Sequence, residues 1–129
     1  MAKARKLNPS KLSTEYLTRK GWMVADVETR VTRTIVRDLW GFADLCCVSR
    51  TGLVLWLQVT SYSNMASRVQ KCLESDDAAS LLARGHSVGV WGWYPEADRF
   101  RRVAIVNNER GQVVSAQPHV VYVGAEDLY

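Results

Sequence analysis

The sequence is poor in cysteine and histidine and has no long apolar run, and each shortage removes a class of protein. Cys46, Cys47 and Cys72 supply neither a paired disulfide framework nor the CxxC spacing of a zinc site. Cys46 and Cys47 are adjacent, so on a strand they point to opposite faces and at most one serves any given site. Buried, reduced thiols in a reducing compartment are expected. His86 follows a glycine and His119 a proline, neither within a ligand constellation, and both read as structural. The longest apolar runs, such as residues 53–57, are far too short to cross a bilayer, and no signal-peptide stretch follows the basic N-terminus. A cytoplasmic protein with no membrane partner is expected. Phosphate-binding GxxxxGK[ST] and GxGxxG loops are missing, as is a Ser or Cys nucleophile in a recognisable elbow.

What is present fits one soluble domain: 129 residues, 47% hydrophobic and 23% charged. The net charge of +4 is unevenly spread. Up to Arg37 nine Lys or Arg face three acids, a balance of +6, whereas the remainder carries eight against ten, or −2. A positive field at one end of the chain suits contact with phosphate. Lys3, Arg5 and Lys6 fit a solubilising tail equally well, and residues 1–8 read as a flexible basic N-terminus.

Along the chain, Asn8-Pro9 predicts a capped helix over about residues 9–20, with Leu12, Tyr16 and Leu17 on one face and Gly21 after it. A strand is expected over 22–27, then an extended arm or strand edge over 28–37. Residues 42–48 and 53–60 read as an antiparallel hairpin turning at 49–52. A helix over 64–73, capped by Ser63 or Asn64, precedes another over about 76–84. The 86–94 segment reads as a buried strand broken by glycines, followed by a hairpin over 99–106 and 112–115 and a short strand at 120–123. This order predicts an α/β fold, a mixed central β-sheet flanked by helices.

The chemistry concentrates on the 42–60 hairpin. Asp44 is an acid inside an apolar strand and needs a partner or a purpose. Gln58 and Thr60, two apart, share one face of the next strand, which Asp44 reaches in a suitable register. This pattern, with the Glu15 helix before it, resembles the PD-(D/E)xK restriction-endonuclease-like superfamily, which includes the archaeal Holliday junction resolvases. It is most similar to small phage resolvase-like proteins in which the acid-x-Lys triplet reads QVT. The stretches GFADLCCV (41–48), LQVTSYSNMASRVQK (57–71) and GHSVGVWGWY (85–94) carry the resemblance, which spans about residues 10–95.

The resemblance implies a restriction-endonuclease-like fold and DNA phosphodiester hydrolysis assisted by Mg2+ or Mn2+, on branched or structured DNA, by a homodimer in the host cytoplasm. Asp44 becomes the central metal ligand and Glu15 the helix-borne acid. Gln58 stands where the second acid would be, offering a carbonyl oxygen without charge, and Thr60 stands in place of the Lys. Arg68 and Lys71, three apart on the following helix, share a face from which either cation can swing over the site. Lys71 therefore joins Glu15, Asp44, Gln58 and Thr60 in the expected catalytic set. Arg30, Arg33, Arg37 and Arg68, with Trp40, are the expected nucleic-acid contacts. Asp38 reads as turn-forming, with a second acid at the mouth of the site as the alternative, most of the other tryptophans as core, and Arg99, Arg101 and Arg102 as a solvated hairpin face. Gln58 and Thr60 equally suit a nuclease fold that binds DNA without cutting it, and a factor that binds a host protein is a third reading.

Overall fold

The computed structural model describes residues 6–124. Helix α1 (Pro9–Arg19) starts where Asn8 Oδ1 accepts from the Lys11 N–H at 3.1 Å, with proline at the first helical position, where no amide is missed. Strands β1 (Met23–Asp26), β4 (Leu45–Val48) and β5 (Val54–Ser61) form an antiparallel meander. Between β1 and β4, strands β2 (Thr29–Arg30) and β3 (Val36–Arg37) pair only with each other, so residues 28–37 form a separate two-stranded arm. After a 3-10 turn at Tyr62–Asn64 come α2 (Met65–Leu73) and α3 (Asp76–Ala83), then β6 (Ser87–Trp93), parallel to β5. Two helices between β5 and β6 supply the crossover that parallel strands require. Strands β7 (Arg99–Asn107), β8 (Val113–Ser115) and β9 (His119–Tyr122) complete a seven-stranded sheet, β8 and β9 both pairing with β7.

The expected α/β class with a mixed sheet flanked by helices is thus present. Alternation along the strands divides the core into two layers. Leu45, Cys47, Leu57, Val59, Trp91, Trp93 and Phe100 meet α1 through Tyr16 and Leu17. On the opposite side, Val88, Val90, Val103 and Ile105 meet α2 and α3 through Met65, Cys72, Ala78 and Leu81. Cys46 and Cys47 face opposite ways, as adjacency on a strand demands. No helix among the described residues is long and apolar enough to cross a membrane.

Several local expectations are corrected. Strand β6 is continuous. Its Gly92 does not break it but lets α2 come close, because a Cβ there would lie 2.9 Å from Met65 Sδ. Neither Ser63 nor Asn64 caps α2 with its side chain, whereas Ser75 Oγ caps α3 by accepting from the Ala78 N–H. Leu7 packs against the first core layer, so the proposed free N-terminus does not extend to residue 8, while Lys3 and Arg5 lie outside the described residues.

A buried polar contact ties helix α1 to the sheet, Trp93 Nε1 donating to Ser13 Oγ at 2.8 Å. Removing the acceptor leaves an unpaired indole N–H in a dry interface, worth roughly 1–3 kcal/mol. Ser13→Ala is therefore expected to lower the unfolding free energy by that amount, read as a lower urea midpoint at unchanged slope. An unaltered midpoint would show that the contact contributes nothing.

Candidate metal and phosphate site

The site grows out of the β4–β5 register. Leu45 pairs with Leu57, so Asp44, one residue before β4, lies opposite Gln58. The Asp44 amide donates to Leu57 O at 2.7 Å, which anchors the backbone and turns the side chain to the α2 side. There Asp44 Oδ2 accepts from Gln58 Nε2 at 2.6 Å and from the Val59 N–H at 2.7 Å. Asp44 is 3% exposed, Gln58 2%, and Thr60 is buried on the same face. The three residues thus converge as the alternation requires.

The other carboxylates arrive from two segments. The Val27 amide donates to Asp44 O at 2.9 Å, which carries the β1–β4 pairing one step past Asp26 and sets Glu28 beside Asp44. Asp38 comes from the loop after β3. Glu28, Asp38 and Asp44 each offer an oxygen within 4.8 Å of the others. Lys71 Nζ donates to Asp38 Oδ2 at 2.8 Å, and Arg68 adds positive potential at the same carboxylate. Arg37, Asp38, Arg68 and Lys71, with Val36 and Gly41, line an open cleft of about 610 Å³ beside the cluster.

The electrostatics follow from burial. Desolvation pushes the Asp44 carboxyl from 3.8 up to about 9, helped by the hydrogen bond and negative charge of Asp38 and opposed by the Val59 N–H. Because Oδ2 already takes two N–H groups, a proton or a cation falls to the other oxygen. Burial also works against ionising Asp38. The bonds from Asp44 and Lys71, with the charges of Lys71 and Arg68, outweigh it and hold that carboxyl below its ordinary value. Two acids with opposite shifts act as one pair sharing a proton. Burial pushes the Cys47 and Cys72 thiols up to about 12, so they stay protonated and take no part as ligands.

Gln58 adds a telling feature. Its Nε2 is committed to Asp44, while Oε1 is buried with no hydrogen-bond partner. A buried orphan carbonyl is costly unless something occupies it. The three carboxylates, with the Gln58 amide bonded to one of them, offer oxygen donors, which suit a hard divalent cation such as Mg2+ or Mn2+.

Glu15 is not part of this arrangement. Ser13, Tyr16 and Leu17 bury one side of α1 against the Leu57 and Val59 face, which leaves Glu15 exposed on the far side of the sheet from Gln58, beside Lys11 and Glu96. Glu28 takes the position expected of it. Asp38 does help a turn, its carbonyl accepting from Gly41 N–H, but its side chain is the second acid of the cluster. Sequence reasoning missed Glu28, although an acid two residues beyond the β1 strand was a visible signal. Of the expected nucleic-acid contacts, Arg37 and Arg68 border the cleft. Arg30 and Arg33 are exposed on the arm, where Arg30 Nη1 donates to Arg33 O at 3.0 Å. Trp40 is exposed at φ +53°, its ring 5.1 Å from that of Trp56. Trp56 is only partly buried, and its Nε1 donates to His86 Nδ1 at 2.9 Å.

Comparison with protein-family models, with curated proteins and with solved structures finds no match to this chain.

The raised Asp44 pKa has a definite sign. A carboxyl that holds its proton more tightly when folded stabilises the fold most below its unfolded value near 3.8, and that stability is lost as pH rises towards about 9. Asn at position 44 mimics the protonated acid, with a carbonyl for Gln58 and Val59 and an N–H for Asp38. In the presence of a chelator, the stability of Asp44→Asn relative to the native protein is expected to rise steadily between pH 5 and pH 9 in urea titrations. A pH-independent difference would place the proton elsewhere.

Proposed function

We propose that the chain is a divalent-cation-dependent DNA endonuclease of the PD-(D/E)xK type, acting as a homodimer on branched or structured DNA in the host cytoplasm. The observation that carries this reading is the buried, unpartnered Gln58 Oε1, on a side chain whose Nε2 is bonded to Asp44 of the Glu28, Asp38 and Asp44 cluster. Those four side chains would hold Mg2+ or Mn2+. When bound, such a cation offsets charge on a phosphate and lowers the pKa of a coordinated water.

The remaining work falls to the chain's own cations. Thr60 has no charge to offer, and the ammonium instead reaches the site from α2 as Lys71, positioned by Asp38 at 2.8 Å. Arg37 and Arg68 border the same cleft, where guanidinium groups suit phosphate oxygens. Arg30 and Arg33 on the arm extend the positive surface beyond it, and exposed Trp40 is a contact for the substrate beside Gly41. Two copies follow from the substrate, since symmetric incision of two strands needs two sites.

A second reading rests on Thr60: with a buried hydroxyl in place of the strand lysine, the fold binds DNA without cutting it. Incubation with four-way junction, flap and linear duplex in Mg2+ or Mn2+ separates the two. Cleavage is expected, lost on adding chelator and in Asp44→Ala. Lys71→Ala is expected to slow it roughly 100-fold, the scale for removing one electrostatic stabiliser. Junctions bound but uncut in either metal would leave only the second reading. Activity that persists in Asp44→Ala would belong to a contaminant.

A further inference from the structure

On the α2 side of the sheet, beyond the carboxylate cluster, the strand register places a row of side chains next to one another. Thr60, Gly92, Arg101 and Val120 are successive partners across β5, β6, β7 and β9. Just past them, Tyr62 in the 3-10 turn and Tyr94 after β6 join Arg99 and its strand partner Tyr122. These groups form a column: Tyr62 and Tyr94 stack at 4.4 Å and 16°, and the Arg99 guanidinium lies 4.2 Å from the Tyr94 ring and 6.0 Å from that of Tyr122. The outer members stay open to solvent, Tyr62 at 39% and Tyr122 at 54% exposure, and Val120 of the row is exposed beside them.

We propose that this column is a stacking platform for the unpaired bases of single-stranded DNA. Flat π surfaces and a guanidinium already stacked on one another offer a base the same geometry, and every base has a π face. Arg99 serves the stack more than the field, because its Nη1 is 3.0 Å from Asp98 and 3.8 Å from Glu96. Arg101 supplies the phosphate-facing charge, its Nη1 3.4 Å from the Tyr62 hydroxyl. From Tyr62 a groove of about 540 Å³, floored by Met65, Val69 and Val103 and flanked by Arg101, gives room for a strand to continue. Tyr62 lies four residues beyond Gln58, roughly 13 Å at strand rise. A bound single strand therefore runs along the same end of the sheet as the carboxylates. The choice of DNA rests on the function proposed above; the stacking role does not.

Fluorescence anisotropy with a labelled oligo-dT strand, in chelator and over a series of salt concentrations, tests the platform apart from cleavage. Tyr62→Ala and Tyr122→Ala are each expected to weaken binding about tenfold, within the range for losing one stacked base, while Tyr62→Phe retains it. Arg101→Ala is expected to weaken binding and flatten its salt dependence. Duplex of the same length should not respond to the tyrosines, and thermal melting checks that each variant is folded. Folded alanine variants that bind oligo-dT like the native protein overturn the platform, whatever the cleavage result, and tighter binding of the matching RNA overturns the choice of DNA. A protein that cuts nothing yet shows the tyrosine effect keeps the platform and loses the nuclease.

Discussion

A carboxylate taken out of water governs the centre of this molecule. Asp44 sits between β4 and β5, and two N–H groups on one of its oxygens do not offset the loss of hydration, as its preference for a proton shows. The second oxygen favours a proton shared with Asp38, which a bound cation would displace. The surrounding groups make sense as answers to that constraint: a neutral amide that donates without adding charge, a second acid already neutralised by Lys71, and Arg68 behind it.

The uncharged Gln58 and Thr60 therefore do not lie in an uncharged setting. Acids meet Asp44 from either side of the β2–β3 arm, as Glu28 and Asp38, and cations come from α2, as Arg68 and Lys71. The helix after β5 packs back on the same sheet face, so a lysine stem spans the gap from α2 to Asp38.

Much of the framework was legible. Period-two alternation put Gln58 and Thr60 on one face, the Ser49 to Gly52 turn fixed the hairpin, and Asn8-Pro9 and Gly21 bounded α1 closely. Glu15 failed because helical periodicity shows which side of α1 is buried but not which side of the sheet buries it. Asp38 offered two readings, a turn residue and a second acid at the mouth of the site, and its carbonyl closes the turn while its side chain joins the carboxylates. Nothing local showed that Lys71, 33 residues later, meets that side chain. The aromatic column escaped notice for the same reason, as Tyr62, Tyr94 and Tyr122 belong to separate strand ends.

Local spacing, set by steric limits on the backbone, let the sequence determine its helices, strands, hairpin and the shared face of Gln58 and Thr60. Tertiary structure alone decided which sheet face each helix covers, and so which acids and cations meet Asp44. Those choices depend on strand register and layer packing between distant segments, where burial acts on whole faces and no short window of residues carries the information.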